Sequence, residues 1–143
     1  MTRPLKSLLR IGLAVGLISA IYVAMAQPNN GFDLSNAIID PAAIVAGGPA
    51  KDGIPALDNP AFVNATEAGF LDPQDRILGI EIDGISKAYP IGILNWHEIV
   101  NDDINNRHFA ITYCPLCGTG VAFSASVDGQ NLDFGVSGLL YNS

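Results

Sequence analysis

The sequence predicts an α+β fold, built mostly of antiparallel β hairpins with one or two short helices. Three observations carry that expectation. Asp83-Gly84 separates two runs of alternating apolar residues, and Asp128-Gly129 separates a second pair. Both residues of an Asp-Gly turn tolerate the positive φ that a two-residue hairpin needs. Pro90 stands where the two-residue alternation gives way to helical spacing.

The elements follow in order. Residues 27–75 are rich in Gly, Pro, Asn and Asp, and Gly47-Gly48-Pro49 and Asp52-Gly53-Ile54-Pro55 mark turns. A short helix is expected to begin near Asn59-Pro60, because proline suits the first helical position. Residues 77–82 and 85–89 read as one hairpin, with Ile80 and Ile82 pointing one way and Glu81 the other. Pro90 opens a helix expected to run to about Asn101, with Ile91, Leu94, Ile99 and Val100 among its apolar positions. A strand over residues 108–113 follows, then a tight turn, then a strand over 121–127 and a hairpin partner over 132–136. Residues 138–143 end the chain on an apolar run, so the domain is expected to be incomplete at its C-terminus, with unpaired strand edges.

The N-terminal segment speaks of location. Arg3, Lys6 and Arg10 precede an uncharged stretch from Ile11 to Ala26, and Ala24-Met25-Ala26 has the small residues of a cleavage site. That pattern is a secretory signal peptide. The stretch is shorter than the ~20 apolar residues a spanning helix wants; left uncleaved, residues 11–26 would be a membrane anchor. The chain therefore divides into 1–26 signal peptide, 27–46 linker and 47–143 as the N-terminal part of a β-rich domain. It is expected in the periplasm or outside the cell, with no extended membrane domain beyond the N-terminal segment. No cysteine directly follows the apolar run, where Gln27 stands, which excludes a lipoprotein. Removing the leader leaves four basic against fourteen acidic residues, a net charge near −10. Such a surface repels phosphate backbones, so nucleic-acid binding is excluded.

The chemistry concentrates in Tyr113-Cys114-Pro115-Leu116-Cys117-Gly118, which holds both cysteines of the chain. Two thiols at this spacing ligate a metal ion or close a disulfide. Strand-like flanks on both sides favour a metal knuckle over a redox helix, and thiolates favour zinc or Cu(I). Cys114 and Cys117 supply half a tetrahedral site, and His97 is the first further ligand, with Trp96, Glu98 and Asp102 as supporting residues. A second chemistry is thiol–disulfide exchange by the same pair. A third is a plain disulfide staple in a non-catalytic interaction domain, expected to stabilise little because the loop is short. Glycine after Cys117 excludes a c-type haem.

Other residues have plainer readings. His97 comes three residues after Leu94 and three before Val100, so on a helix it faces their side. It is either a buried histidine bonded to a carbonyl, or a ligand or acid/base facing the cysteine turn. Paired with a thiolate it would form a Cys–His nucleophile. Trp96 is expected in the core or a pocket wall, Glu98 in solvent, Asp52 and Asp58 at turns, and His108 exposed at a strand start. No phosphate loop, Ser/His/Asp motif or dinucleotide fingerprint is present, and no residue is assigned a catalytic role.

Four blocks carry a resemblance. Residues 48–58 begin Gly48-Pro49 and end Leu57-Asp58; Asn95-Trp96-His97-Glu98-Ile99-Val100-Asn101-Asp102 follows, then Thr112-Tyr113-Cys114-Pro115-Leu116-Cys117-Gly118-Thr119, then residues 134–143. Together they resemble the bacterial and archaeal family known as domain of unknown function 3179 (DUF3179). Ala50 stands where that family often has a second proline. Family members continue further, so the resemblance implies a C-terminally truncated member. It also implies an exported protein, and it brings no established activity.

Overall fold

The computed structural model describes residues 29–141. The signal peptide expected over 1–26 lies outside the described residues. Among those described, no helix is long and apolar enough to cross a membrane. The chain splits into two compact units. One joins the segment up to Gly47 with Leu139 onward, and in it strand β1 (Ile44–Ala46) pairs antiparallel with β10 (Leu139–Tyr141). β1 therefore lies inside the stretch read as linker. The other unit, Gly48–Gly138, carries the chemistry.

In this unit β2 (Leu57–Asp58), β5 (Ile99–Ile104), β6 (Arg107–Cys114) and β7 (Thr119–Ser124) form a sheet in the order β2-β5-β6-β7. Only the β2–β5 pairing is parallel. Strands β3 (Ile77–Ile82) and β4 (Ile85–Pro90) make the expected hairpin through Asp83-Gly84, both at positive φ. Leu78, Ile80 and Ile82 face inward while Ile77, Gly79 and Glu81 face solvent, as the alternation requires. The α+β reading and the predominance of antiparallel hairpins thus hold.

Several boundaries differ from the sequence reading. Helix α1 spans Ile91–His97 and stops well short of Asn101. Glu98 takes a left-handed backbone, φ 59° and ψ −29°, and its amide closes the last turn on Leu94 O at 2.8 Å. Residues beyond it join β5, because pairing Ile99–Ile104 along β6 recruits six residue pairs where the helix would have added one turn. The β5–β6 turn is Asn105-Asn106, both at positive φ; asparagine tolerates that region, a signal the sequence reading passed over. No helix starts at Asn59-Pro60. A 3₁₀ turn forms instead at Ala65–Glu67, where the Glu67 carboxylate accepts the Asn64 amide at 3.1 Å. The last hairpin keeps its Asp128-Gly129 turn but is short, β8 (Ser126–Val127) against β9 (Gln130–Asn131), and residues 132–136 are not a strand. Leu132 turns back to Ala125, its amide on that carbonyl at 2.8 Å.

The two sheet faces have different partners. Val100, Ile104, Phe109, Ile111 and Tyr113 join Tyr89 and Leu94 in one buried cluster beneath α1 and the β3–β4 hairpin. Gly120 allows close approach here: a methyl group at its Cα would stand 2.5 Å from Leu78 Cδ1. Asp102 points into the same side and is only 3 % exposed. Lys87 Nζ lies 2.8 Å from each of its oxygens, and the Tyr89 hydroxyl donates to it at 2.8 Å. The Tyr89 hydroxyl is held far above its ordinary pKa by burial, then by the hydrogen bond to Asp102 and its charge. On the opposite face the residues 132–136 segment lies across the sheet. Buried Asn101 donates to Asp58 at 2.8 Å and Phe134 O at 2.9 Å, and accepts from the Phe134 amide.

His108, expected exposed, lies on this second face and is 6 % exposed. Its Nδ1 meets Asp103 at 3.2 Å, and its Nε2 meets Leu132 O and Asp133 at 3.1 Å. The segment after β9, expected as a strand over 132–136, covers it instead. Burial lowers the imidazole pKa, but the Asp103 hydrogen bond and charge, the Leu132 carbonyl and the Asp133 charge together raise it above its ordinary value. A raised folded-state pKa stabilises the fold most below the unfolded value of about 6.5, and that contribution is lost as pH rises through the folded value. The stability gap between wild type and His108→Gln should therefore be widest near pH 5.5 and shrink above neutrality. Urea midpoints across that range measure it; a gap that grows with pH would reverse the assignment.

Candidate functional site

The β6–β7 hairpin builds the site. Cys114 ends β6 opposite Thr119, which begins β7, and residues 115–118 bridge them. Gly118 sits at φ +65°, where a side chain would be strained, and its amide closes the loop on Cys114 O at 2.8 Å. This is the strand–turn–strand setting expected from the flanks. The two cysteines are not joined in the structure; Cys114 is half-buried and Cys117 exposed. The Cys117 thiol donates to Cys114 O at 3.8 Å. Its pKa is lowered, first by the Cys114 thiol and then by the Thr119 hydroxyl, with burial opposing them.

Alternation along β6 sets the wall beside the thiols. Thr112 and Cys114 share a face, opposite to that of Tyr113. Thr112 pairs with Ile99 on one side and Val121 on the other, so their side chains continue that face. With Val136 they line a recess of about 320 Å³ that Cys114, Cys117, Thr119 and Glu98 also border. Glu98 reaches it because helix α1 ends one residue earlier. The Tyr113 amide donates to Glu98 O at 2.8 Å, which ties the backbone of Glu98 to the residue before Cys114. Burial raises the Glu98 carboxyl pKa. A glutamate in left-handed backbone costs of order 1–3 kcal/mol, and such strain gathers at functional positions.

The residue pattern that decides the family covers most of this unit. The family described as "Protein of unknown function (DUF3179)" matches residues 51–143. The chain belongs to the DUF3179 family. It has no match among curated proteins and none among solved structures.

The fold disperses several of the residues that the sequence set beside the DUF3179 cysteine pair. His97 closes α1, and its Nδ1 lies 2.9 Å from Pro55 O. That is the carbonyl-bonded histidine of the plainer reading, though it is half-buried rather than fully enclosed. Trp96, expected in the core or a pocket wall, is 78 % exposed, because the helix turns Leu94 inward and leaves Trp96 on its outer side. Asp102 is held by Lys87 and Tyr89 on the core face, away from the side that Cys114 shares with Thr112. Among the described residues no group of three or more His, Cys, Asp or Glu side chains is gathered to hold a metal ion. Glu98 alone of the supporting residues borders the thiol recess of the DUF3179 chain, and it is half-buried where solvent was expected. Thr119 was not singled out in the sequence. Its signal was its place directly after Gly118, where the chain must turn back past Cys117.

Proposed function

We propose that this chain is a thiol–disulfide exchange protein acting outside the cytoplasm, with Cys117 as the attacking thiol and Cys114 as its partner. The observation that carries the reading is the pairing of an exposed, acidified thiol with a half-buried one on a single closed turn. The thiolate is the nucleophile in exchange, so a lowered pKa and exposure both belong on the attacking sulfur. Cys117 attacks a substrate disulfide and releases one substrate thiol. Cys114 then attacks the mixed disulfide and releases the second, leaving a Cys114–Cys117 bridge and a substrate reduced by two electrons. The charged leader and Ala24-Met25-Ala26 support export, where such exchange has disulfide substrates.

The test uses protein recovered from a periplasmic fraction, with Gln27 as its first residue. It is equilibrated in dithiothreitol and glutathione buffers and followed by intact mass. The expected result is reversible loss of two hydrogens, with a potential above the roughly −300 mV of structural disulfides. A metal-free bridge that resists reduction would leave only the staple. One zinc or Cu(I) held per reduced chain, with release of protons, would favour the knuckle reading instead.

A further inference from the structure

The exchange reaction leaves one proton unplaced. After Cys117 has formed the mixed disulfide, Cys114 must lose its proton before it can attack. Cys114 is the half-buried member of the pair, so water alone serves it poorly. The recess beside it is walled mainly by Ile99, Val121 and Val136, and Glu98 is the acidic residue among those that line it. Two independent features fix the backbone of Glu98 there. Its backbone is in the left-handed region, where glycine or asparagine would sit at lower cost. Its carbonyl is fixed by the amide of the residue before Cys114. A helix that only needed to stop would be better served by glycine.

We propose that Glu98 is the proton acceptor for Cys114 in the second half of the exchange, an inference that rests on the exchange reading. The Glu98 carboxylate takes the Cys114 proton. The Cys114 thiolate then forms a bond to the Cys117 sulfur, and the bond between Cys117 and the substrate sulfur breaks. The substrate leaves as a thiolate carrying the electron pair, and Glu98 returns its proton to solvent or to that thiolate. Burial raises the carboxyl pKa, which makes it a better base for this transfer.

The experiment is a single turnover with 5,5′-dithiobis(2-nitrobenzoate), which releases one chromophore on attack by Cys117 and a second on attack by Cys114. Glu98→Gln should leave the first release within about twofold and slow the second at least about tenfold at neutral pH. Its second phase should also lose the carboxyl limb of the pH profile. Glu98→Gly separates chemistry from folding: it relieves the left-handed residue, so it should unfold at the same or higher urea concentration and still show the slow second phase. Glu98→Asp, which keeps a carboxylate on a residue tolerant of that backbone, should recover part of the rate. Equal second phases in wild type and Glu98→Gln would overturn the role of Glu98 alone. A wild-type protein that shows no second release would instead overturn the exchange reading itself.

Discussion

Asp102→Ala should cost about 3–5 kcal/mol of folding stability, the largest loss expected from any single polar substitution in this chain. The carboxylate is almost fully enclosed and holds three partners: the Lys87 ammonium, the Tyr89 hydroxyl and the Asp103 amide at 2.7 Å. Removing it leaves the ammonium of Lys87 with the Asp103 carbonyl at 2.9 Å and the face of Phe62, whose centroid lies 4.4 Å away. Neither carries a full negative charge. The Tyr89 hydroxyl loses its acceptor as well, which adds a desolvation cost. Lys87 retains some solvent contact, so the loss should fall toward the lower end of that range. Replacing both partners, as Lys87→Met with Asp102→Leu, should recover much of it, since no charge is then stranded. Urea unfolding of the two variants decides the matter; a loss below about 1 kcal/mol for Asp102→Ala would mean the pair is effectively solvated.

Cys117→Ser should lower the rate of reaction with a small aromatic disulfide by at least about a thousandfold, because serine offers no comparable nucleophile at neutral pH. Cys114→Ser should behave differently. It keeps the attacking sulfur, reacts once, and accumulates a mixed disulfide that persists because nothing resolves it. Mass spectrometry of both variants after a short exposure reads the asymmetry directly. Cys117 is exposed, so its substitution should shift stability by no more than about 0.5 kcal/mol. If both variants trap the probe equally, the two sulfurs have no fixed order of attack.

The hairpins were legible because their signals are local. Asp83-Gly84 and Asp128-Gly129 state their backbone conformation in two letters, and the alternation around the first sets which side of the strand is buried. The cysteine turn was legible for the same reason. The end of α1 was not. Ile99 and Val100 fit an apolar helical stripe as well as a strand, and the choice is made by β6, a partner distant in no local pattern. That one boundary governed much of the site. With the helix drawn through Asn101, Glu98 falls on a solvent edge. With the helix ended at His97, Glu98 joins the residues that line the thiol recess. The burial of His108 is equally non-local, since its cover comes from Leu132 and Asp133, more than twenty residues later in the chain. Trp96 shows the converse: a large aromatic was assigned to the interior by its chemistry, while the helix phase set by Leu94 left it outside.

Three consecutive residues of β5, Asn101, Asp102 and Asp103, each answer to a different part of the unit. Asn101 holds β2 and the Phe134 backbone, Asp102 holds β4, and Asp103 holds His108 on β6. A strand's side chains alternate, so sliding β5 by a single residue would exchange all three assignments at once. Asp102 would leave its ammonium behind, and an amide or a second carboxylate would take its place among aromatic rings. Here the misaligned sheet would carry a stranded cation and several orphaned carbonyls, so it would be rejected during assembly rather than corrected afterwards. β5 thus acts as an alignment key. The same register that satisfies it sets Ile99 against Thr112, and so places Glu98 at the cysteine turn.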